Sequence, residues 1–227
     1  MPDKTVAVYG GSFDPPTMAH EAVAAGLLGA AELKVDEVWL MPCFDHSFGK
    51  DMTDFKERMA MCSLTAHADT RISATDYEVK VADRWSCWDN GSTMKTAFKL
   101  AEDFEGTGFM FVIGMDCALE FSKWKHYEEL QQFATFIVVP REGYSHDPAA
   151  WYMRGTQPRR DGTGKHIGWA PRHHYLPGLQ AAGMSSTGAR KALREWTDRS
   201  KDPPALLKEM LDPVVLSYIA EKGLYTK

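Results

Sequence analysis

A chain of 227 residues with 26 Lys and Arg against 31 Asp and Glu carries a net charge of −5, which argues against the broad basic surface that a nucleic-acid partner requires. Its 44% hydrophobic and 25% charged content suits a soluble globular domain, with no apolar stretch of leader-peptide or membrane-spanning length. Cys43, Cys62, Cys87 and Cys117 lie far apart without CxxC or Cys/His ligand spacing, so neither a disulfide framework nor a zinc site is expected, and a cytoplasmic setting is.

In chain order, Val6-Ala7-Val8-Tyr9 is a short apolar run that reads as a buried strand. The stretch GGSFDPPTMAH, from Gly10 to His20, follows it. Gly10 and Gly11 are expected to supply positive φ and let a ligand approach the backbone closely. Pro15 and Pro16 should hold off helix until about Thr17. Residues 21–33, rich in Ala and Leu, read as a helix, and Thr17 and His20 can project from one face at its start. Strand, glycine turn and helix together aim backbone N–H groups and a helix N-terminus at a phosphate.

Residues 35–41 form a second strand stopped by Pro42, and 43–52 a polar and aromatic loop. A helix starts near Asp54, with Phe55, Met59, Cys62 and Ala66 on one face and Asp54 with Glu57 as the capping signature. Residues 71–79 are a third strand candidate, and 83–91 a loop holding Trp85 and Trp88. Ser92 or Thr93 caps a helix spaced by Met94, Ala97, Phe98 and Ala101. The continuously apolar 109–113 suits a central parallel strand covered on both faces, ending at Gly114-Met115-Asp116. A helix-rich segment reaches Phe133, and 136–139 is a strand closed by Pro140.

From 143 to 183 Gly, Pro, Arg and His crowd the chain, and 145–182 reads as a surface excursion, mobile until something binds, with one short strand at 174–176. Helices resume at 187–196 and 204–210. The last helix has Asp212 at its N-cap, Pro213 at N1 and Gly223 beyond its end. This alternation predicts one α/β domain over 1–227: a Rossmann-like, doubly wound parallel sheet flanked by helices to about 183, then a small C-terminal helical part at 184–227. Ligands in that architecture sit at the carboxyl ends of strands, where Gly10–His20, Gly114–Asp116 and Arg141 fall.

The opening motif is neither GxGxxG nor a Walker A loop, since no Gly-Lys-Ser/Thr follows the glycines. Taken singly, Gly10-Gly11 reads as a structural turn and His20 as a helix-surface histidine. The second motif, Met184-Ser185-Ser186-Thr187-Gly188-Ala189-Arg190, taken singly is a helix cap with a solvated arginine. As a pair they are more specific, because a His-bearing turn and a hydroxyl-rich helix start can clamp a triphosphate.

GGSFDPPTMAH resembles the GxFxPx(H/T)xxH signature of the nucleotidyltransferase superfamily, and SSTGAR resembles its SSTxxR partner. Val112 to Trp124 (VIGMDCALEFSKW) resembles the IGxDxxxxFxxW segment of nicotinate and nicotinamide mononucleotide adenylyltransferases. Residues 137–144 and 213–225 resemble the bacterial branch of that family. The chain departs from the pattern at Thr17, where bacterial members usually carry histidine, and in lacking the usual glycine before His20.

The resemblance implies an adenylyltransferase of NAD biosynthesis that joins ATP to nicotinate or nicotinamide mononucleotide and releases pyrophosphate. It implies that Gly11, Ser12 and Phe13 lie along the dinucleotide, that His20 bonds the ATP α-phosphate with Thr17 beside it, and that Ser186, Thr187 and Arg190 hold the β- and γ-phosphates. Gly114 and Asp116 would contact the adenosine side, and Trp124 would stack on the pyridine ring near Thr93 and Thr96. Lys50 would be a phosphate ligand and Arg141 a charge partner. Mg²⁺ is expected to travel with the triphosphate, bound mostly through substrate oxygens. No membrane partner is expected, and a homo-oligomer is left open. Two other readings share the motifs: a transferase acting on phosphopantetheine or a polyol phosphate, and a nucleotide sensor without turnover.

Overall fold

The computed structural model describes residues 2–44, 51–84, 93–147, 149–154, 158–160, 163, 166–169, 172–179 and 183–226. The elements are β1 (Lys4–Gly11), α1 (Met18–Gly29), β2 (Glu37–Pro42), α2 (Phe55–Thr65), β3 (Ile72–Ala74), α3 (Tyr77–Arg84), α4 (Thr93–Asp103), β4 (Thr107–Gly114), α5 (Met115–Leu119), α6 (Tyr127–Phe133) and β5 (Thr135–Val139). After them come β6 (Pro158–Arg160), β7 (His166–Trp169), β8 (His174–Tyr175), α7 (Ser186–Glu195), α8 (Ala205–Met210) and α9 (Pro213–Lys222). Six strands pair in parallel in the order β3-β2-β1-β4-β5-β8, and β6 with β7 make a separate antiparallel hairpin.

The sheet is covered on both sides, and the period of two shows it. On β1, Val6 and Val8 pack with Phe111, Ile113, Phe136 and Val138 under α3 to α6, whereas Ala7 packs with Val38, Leu40, Val112 and Ile137 under α1 and α2. Sheet order reverses between β1 and β4, and the two strands pair in register from Lys4 with Thr107 to Tyr9 with Val112. Their carboxyl ends therefore lie side by side at the topological switch point. A third apolar cluster joins α7, α8 and α9 around Leu193, Leu207, Leu211, Val215 and Ile219, and meets α2 through Met61.

Four expectations need correction. Residues 71–79 hold a strand only at β3; α3 begins at Tyr77, because Tyr77 and Val81, one turn apart, are both buried against the same core. Asp83 and Arg84 accordingly belong to α3, while the rest of that loop with Trp85 and Trp88 lies outside the described residues. Helix α1 starts at Met18, as soon as the prolines permit, and stops at Gly29 rather than 33. Finally, the 145–182 excursion is not wholly superficial: Tyr152 is 1% exposed and Trp151 stacks on Phe121 at 4.0 Å, so two aromatics pin it to the main core.

Candidate functional site

The chain leaves β1 through Gly10 and Gly11 with both still extended, so neither glycine takes the positive φ expected of it. A Cβ on Gly10 would meet nothing within 4 Å, and one on Gly11 would touch the Phe13 ring at 3.3 Å. The left-handed residue is Phe13 itself, at φ 47° and 1% exposed. A buried aromatic held there is strained, and such strain persists where surroundings fix it. The Tyr9 and His20 rings pack on it at 5.5 and 5.1 Å.

Thr17 is the N-cap of α1, and its backbone N–H donates to His20 Nδ1 at 2.9 Å, the half of a capping box that a glutamate usually supplies. With Nδ1 accepting, the neutral imidazole carries its proton on Nε2. Burial, and next the nearby Arg141 cation, pull the His20 pKa down to about 4. The Thr17 hydroxyl is buried, lies 2.9 Å from His20 Nδ1 and donates to the Met184 carbonyl at 3.0 Å. Thr17 therefore orients His20 through its backbone N–H, while its hydroxyl proton goes to Met184.

A consequence concerns pH. His20 has a folded pKa below its unfolded value, so the unfolded chain binds more protons between about 6.5 and 4. Stability is full above 6.5 and falls as pH drops through that window. His173, also lowered to about 4 by burial, adds to the same slope. NMR titration of the His20 Cε1–H signal should show no midpoint above about 5; a midpoint near 6.5 would contradict a neutral His20 at physiological pH.

The second motif docks directly onto the first. Ser185 caps α7 by accepting from the Gly188 N–H at 3.1 Å, Ser186 Oγ donates to the Pro15 carbonyl at 2.8 Å, and Arg190 Nη1 donates to the Asp14 carbonyl at 2.6 Å. Arg190 Nη2 reaches the Thr187 hydroxyl at 3.2 Å, and Nη1 lies 3.8 Å from Asp14 Oδ2. With the Thr17 hydroxyl bond to Met184, three long-range bonds hold α7's start against the turn, leaving Thr187 exposed there.

Three contributors were not singled out in the sequence. Asp14, 2% exposed, takes the Tyr225 hydroxyl at 2.7 Å and the Thr53 N–H at 3.4 Å besides facing Arg190. Arg58, 1% exposed, donates Nε to the Thr53 carbonyl and Nη1 to the Ser12 carbonyl at 2.8 and 2.9 Å, bracing the turn from α2. A charge four residues before Cys62 on the apolar face of α2 was the available signal for Arg58. Tyr225 had none. Tyr225→Phe is expected to lower stability by about 1–3 kcal/mol, since it leaves buried Asp14 short of a donor, and to raise the KM for ATP more than that for the second substrate. Equal KM changes in steady-state assays would show that Tyr225 does not act through Arg190.

At the neighbouring strand ends, Arg141 Nη1 pairs with Asp116 Oδ2 at 2.7 Å. The other oxygen, Asp116 Oδ1, is buried and has no hydrogen-bond partner among the described residues. It lies over the end of β4 so closely that a Cβ on Gly114 would come within 2.5 Å of it. Trp124 follows the short turn after α5 and is half-buried, 5.3 Å from the Phe121 ring. Thr93 opens α4, and Thr96 is buried within it. Lys50 lies outside the described residues. Among the described residues no three His, Cys, Asp or Glu side chains converge as a metal cage, and no helix is long and apolar enough to cross a membrane.

Known proteins resemble the chain along nearly its whole length. Residues 8–192 match the cytidylyltransferase-like family model. A relative from Anaeromyxobacter dehalogenans, named a probable nicotinate-nucleotide adenylyltransferase, is 32% identical over 222 residues, covering 98% of this chain and 97% of its own. One of the same name from Desulfotalea psychrophila is 25% identical over 98% of this chain and all of its own. A Plasmodium falciparum nicotinic acid mononucleotide adenylyltransferase, solved in complex with NaAD, superposes with a TM-score of 0.72 at 22% identity over 98% of this chain and 97% of its own, which establishes the shared fold.

Proposed function

The chain belongs to the cytidylyltransferase-like family, in its nicotinate/nicotinamide mononucleotide adenylyltransferase branch, and from that premise we propose that it joins ATP to nicotinate or nicotinamide mononucleotide, giving the dinucleotide and pyrophosphate. The observation that supports this reading is the docking of α7 on the β1 turn, which holds Ser186 and Arg190 against the Asp14–Thr17 segment that leads into His20. The names of the relatives supply the substrate class.

In this reading the mononucleotide phosphate oxygen attacks the ATP α-phosphorus in line, and pyrophosphate leaves. Such transfers depend on positioning and charge stabilisation rather than a protein nucleophile. His20 donates from Nε2 to an α-phosphate oxygen without changing protonation state. Arg190, aimed by Asp14 and Thr187, holds the β- and γ-phosphates with the Ser186–Thr187 helix start. Gly11, Ser12 and Phe13 carry the backbone alongside the phosphates. Asp116 and Gly114 contact the adenosine side, and Arg141 serves as a charge partner for the mononucleotide, with Lys50 as a further phosphate ligand. Mg²⁺, where bound, would be held mostly by the hard oxygens of the triphosphate and would supply charge neutralisation there.

Trp124 stacks on the pyridine ring, with Thr93 and Thr96 of α4 as the further ring contacts that the family resemblance implies. Trp124→Ala should therefore raise the KM for the mononucleotide several-fold more than that for ATP, because stacking is ground-state binding. Steady-state kinetics with each substrate varied in turn decides it: equal changes would make Trp124 a core residue only. The two mononucleotides differ by a carboxylate against an amide at the ring, so their kcat/KM ratio in the same assay reports the preference.

A further inference from the structure

Between β4 and Trp124 the chain runs through a five-residue helix, α5, and then a single 3₁₀ turn over Phe121–Lys123. Elements this short do not hold themselves together in water and take their geometry from what packs on them. Their inward side chains are Met115, Ala118 and Phe121, spaced by three and all buried. Two consecutive residues of the 145–182 excursion meet all three. The Tyr152 hydroxyl donates to Met115 Sδ at 3.3 Å, and the Trp151 indole Nε1–H donates to the Ala118 carbonyl at 2.9 Å. The Trp151 ring stacks on Phe121 at 4.0 Å, with 19° between the planes. Phe136 of β5 and His173 meet Trp151 edge to face at 5.5 and 4.9 Å, so its plane is fixed from the sheet as well.

Phe121 in turn holds Trp124. The Trp124 N–H donates to the Phe121 carbonyl at 3.0 Å, and the two rings pack at 5.3 Å. A line of contact therefore runs from Trp151 through Phe121 to Trp124, whose half-buried ring ends it. The start of α5 has anchors of its own: Met115 takes the Tyr152 hydroxyl, and Asp116 pairs with Arg141 at 2.7 Å. Phe13 and α7 pack in two other apolar clusters, which Trp151 does not join. A disturbance at Trp151 should thus reach Trp124 and spare the triphosphate side.

We propose that Trp151 is a positioning residue for the second substrate: by stacking on Phe121 and bonding the Ala118 carbonyl, it sets the Trp124 ring and with it the affinity for the pyridine mononucleotide. This rests on the assignment of Trp124 to the pyridine ring. Trp151→Leu keeps an apolar side chain against Phe121 but loses the stack and the indole bond. It should raise the KM for the mononucleotide about three- to tenfold and that for ATP by less than about twofold. Trp151→Phe restores a ring and should return the mononucleotide KM to within about twofold of the parent chain. In a Trp124→Ala background Trp151→Leu should add no further rise, because a residue that acts only through Trp124 has nothing left to move. A readout without substrate covers a leucine variant that fails to fold. With fluorotryptophan in place of tryptophan, the Trp124 fluorine signal, assigned by its loss in Trp124→Phe, should move in Trp151→Phe. Equal rises in both KM values, an additive rise in the Trp124→Ala background, unchanged kinetics in a folded leucine variant, or an unmoved Trp124 signal would each overturn the proposal. A parent chain that turns over no pyridine mononucleotide would overturn the proposed activity itself, a failure seen before any variant is compared.

Discussion

His20→Ala should lower kcat by about 10²-fold or more and leave the fold intact, the size of effect seen when one donor to a developing charge is removed. The expectation rests on the Nδ1 bond from the Thr17 N–H, which leaves Nε2–H as the free donor, and on the pKa of about 4, which keeps the ring neutral throughout the working range. Because the ring does not titrate there, the loss should be nearly constant from pH 6 to 8. Single-turnover rates across that range, with circular dichroism as the fold control, provide the check. A folded variant with near-normal turnover would remove His20 from the reaction.

Arg190→Ala should produce the second large loss, about 10²- to 10³-fold in kcat/KM for ATP, because α7 aims this guanidinium at the turn from a largely buried position. Stability should fall as well, by about 3 kcal/mol, since buried Asp14 keeps the Tyr225 hydroxyl and the Thr53 N–H but loses its nearest cation. Arg190→Lys should restore stability better than activity: a lysine replaces the charge but cannot bond the Asp14 carbonyl and the Thr187 hydroxyl together. Pyrophosphate-release assays and chemical denaturation on the same variants separate the two effects. Unchanged kcat/KM for ATP in the alanine variant would leave Arg190 a structural clamp.

The sheet was legible in the sequence because its central strands are apolar on both faces, and runs such as Val6–Tyr9 and Phe109–Ile113 have few other ways to be buried. The caps of α2 and α9 were legible for the same local reason: Asp54 and Asp212 accept the bonds their positions predict. What failed was information that is not local. Tyr77 and Val81 look like strand residues until the core they share is known, and Trp151 and Tyr152 sit in a loop-like composition yet pack on Phe121 and Met115.

At the site, the two motifs could be found, but not how they join. Nothing near Asp14 in sequence indicates that Tyr225, 211 residues away, donates to it, or that Thr17 gives its backbone N–H to His20 and its hydroxyl to Met184. The positive φ was assigned to the glycines by type, whereas packing of the Tyr9, Phe13 and His20 rings places it on Phe13. A side chain at Gly10 would meet open space and one at Gly11 the Phe13 ring, and neither glycine makes the expected turn.

The central claim is adenylyl transfer to a pyridine mononucleotide. Its most direct test incubates the purified chain with Mg·ATP and, separately, nicotinate mononucleotide, nicotinamide mononucleotide, phosphopantetheine and a polyol phosphate, and counts pyrophosphate and adenylylated product together. One dinucleotide per pyrophosphate, with at least one pyridine mononucleotide far ahead of the other acceptors in kcat/KM, is the predicted result. Turnover with phosphopantetheine or the polyol phosphate alone, or ATP bound without any product, would contradict it.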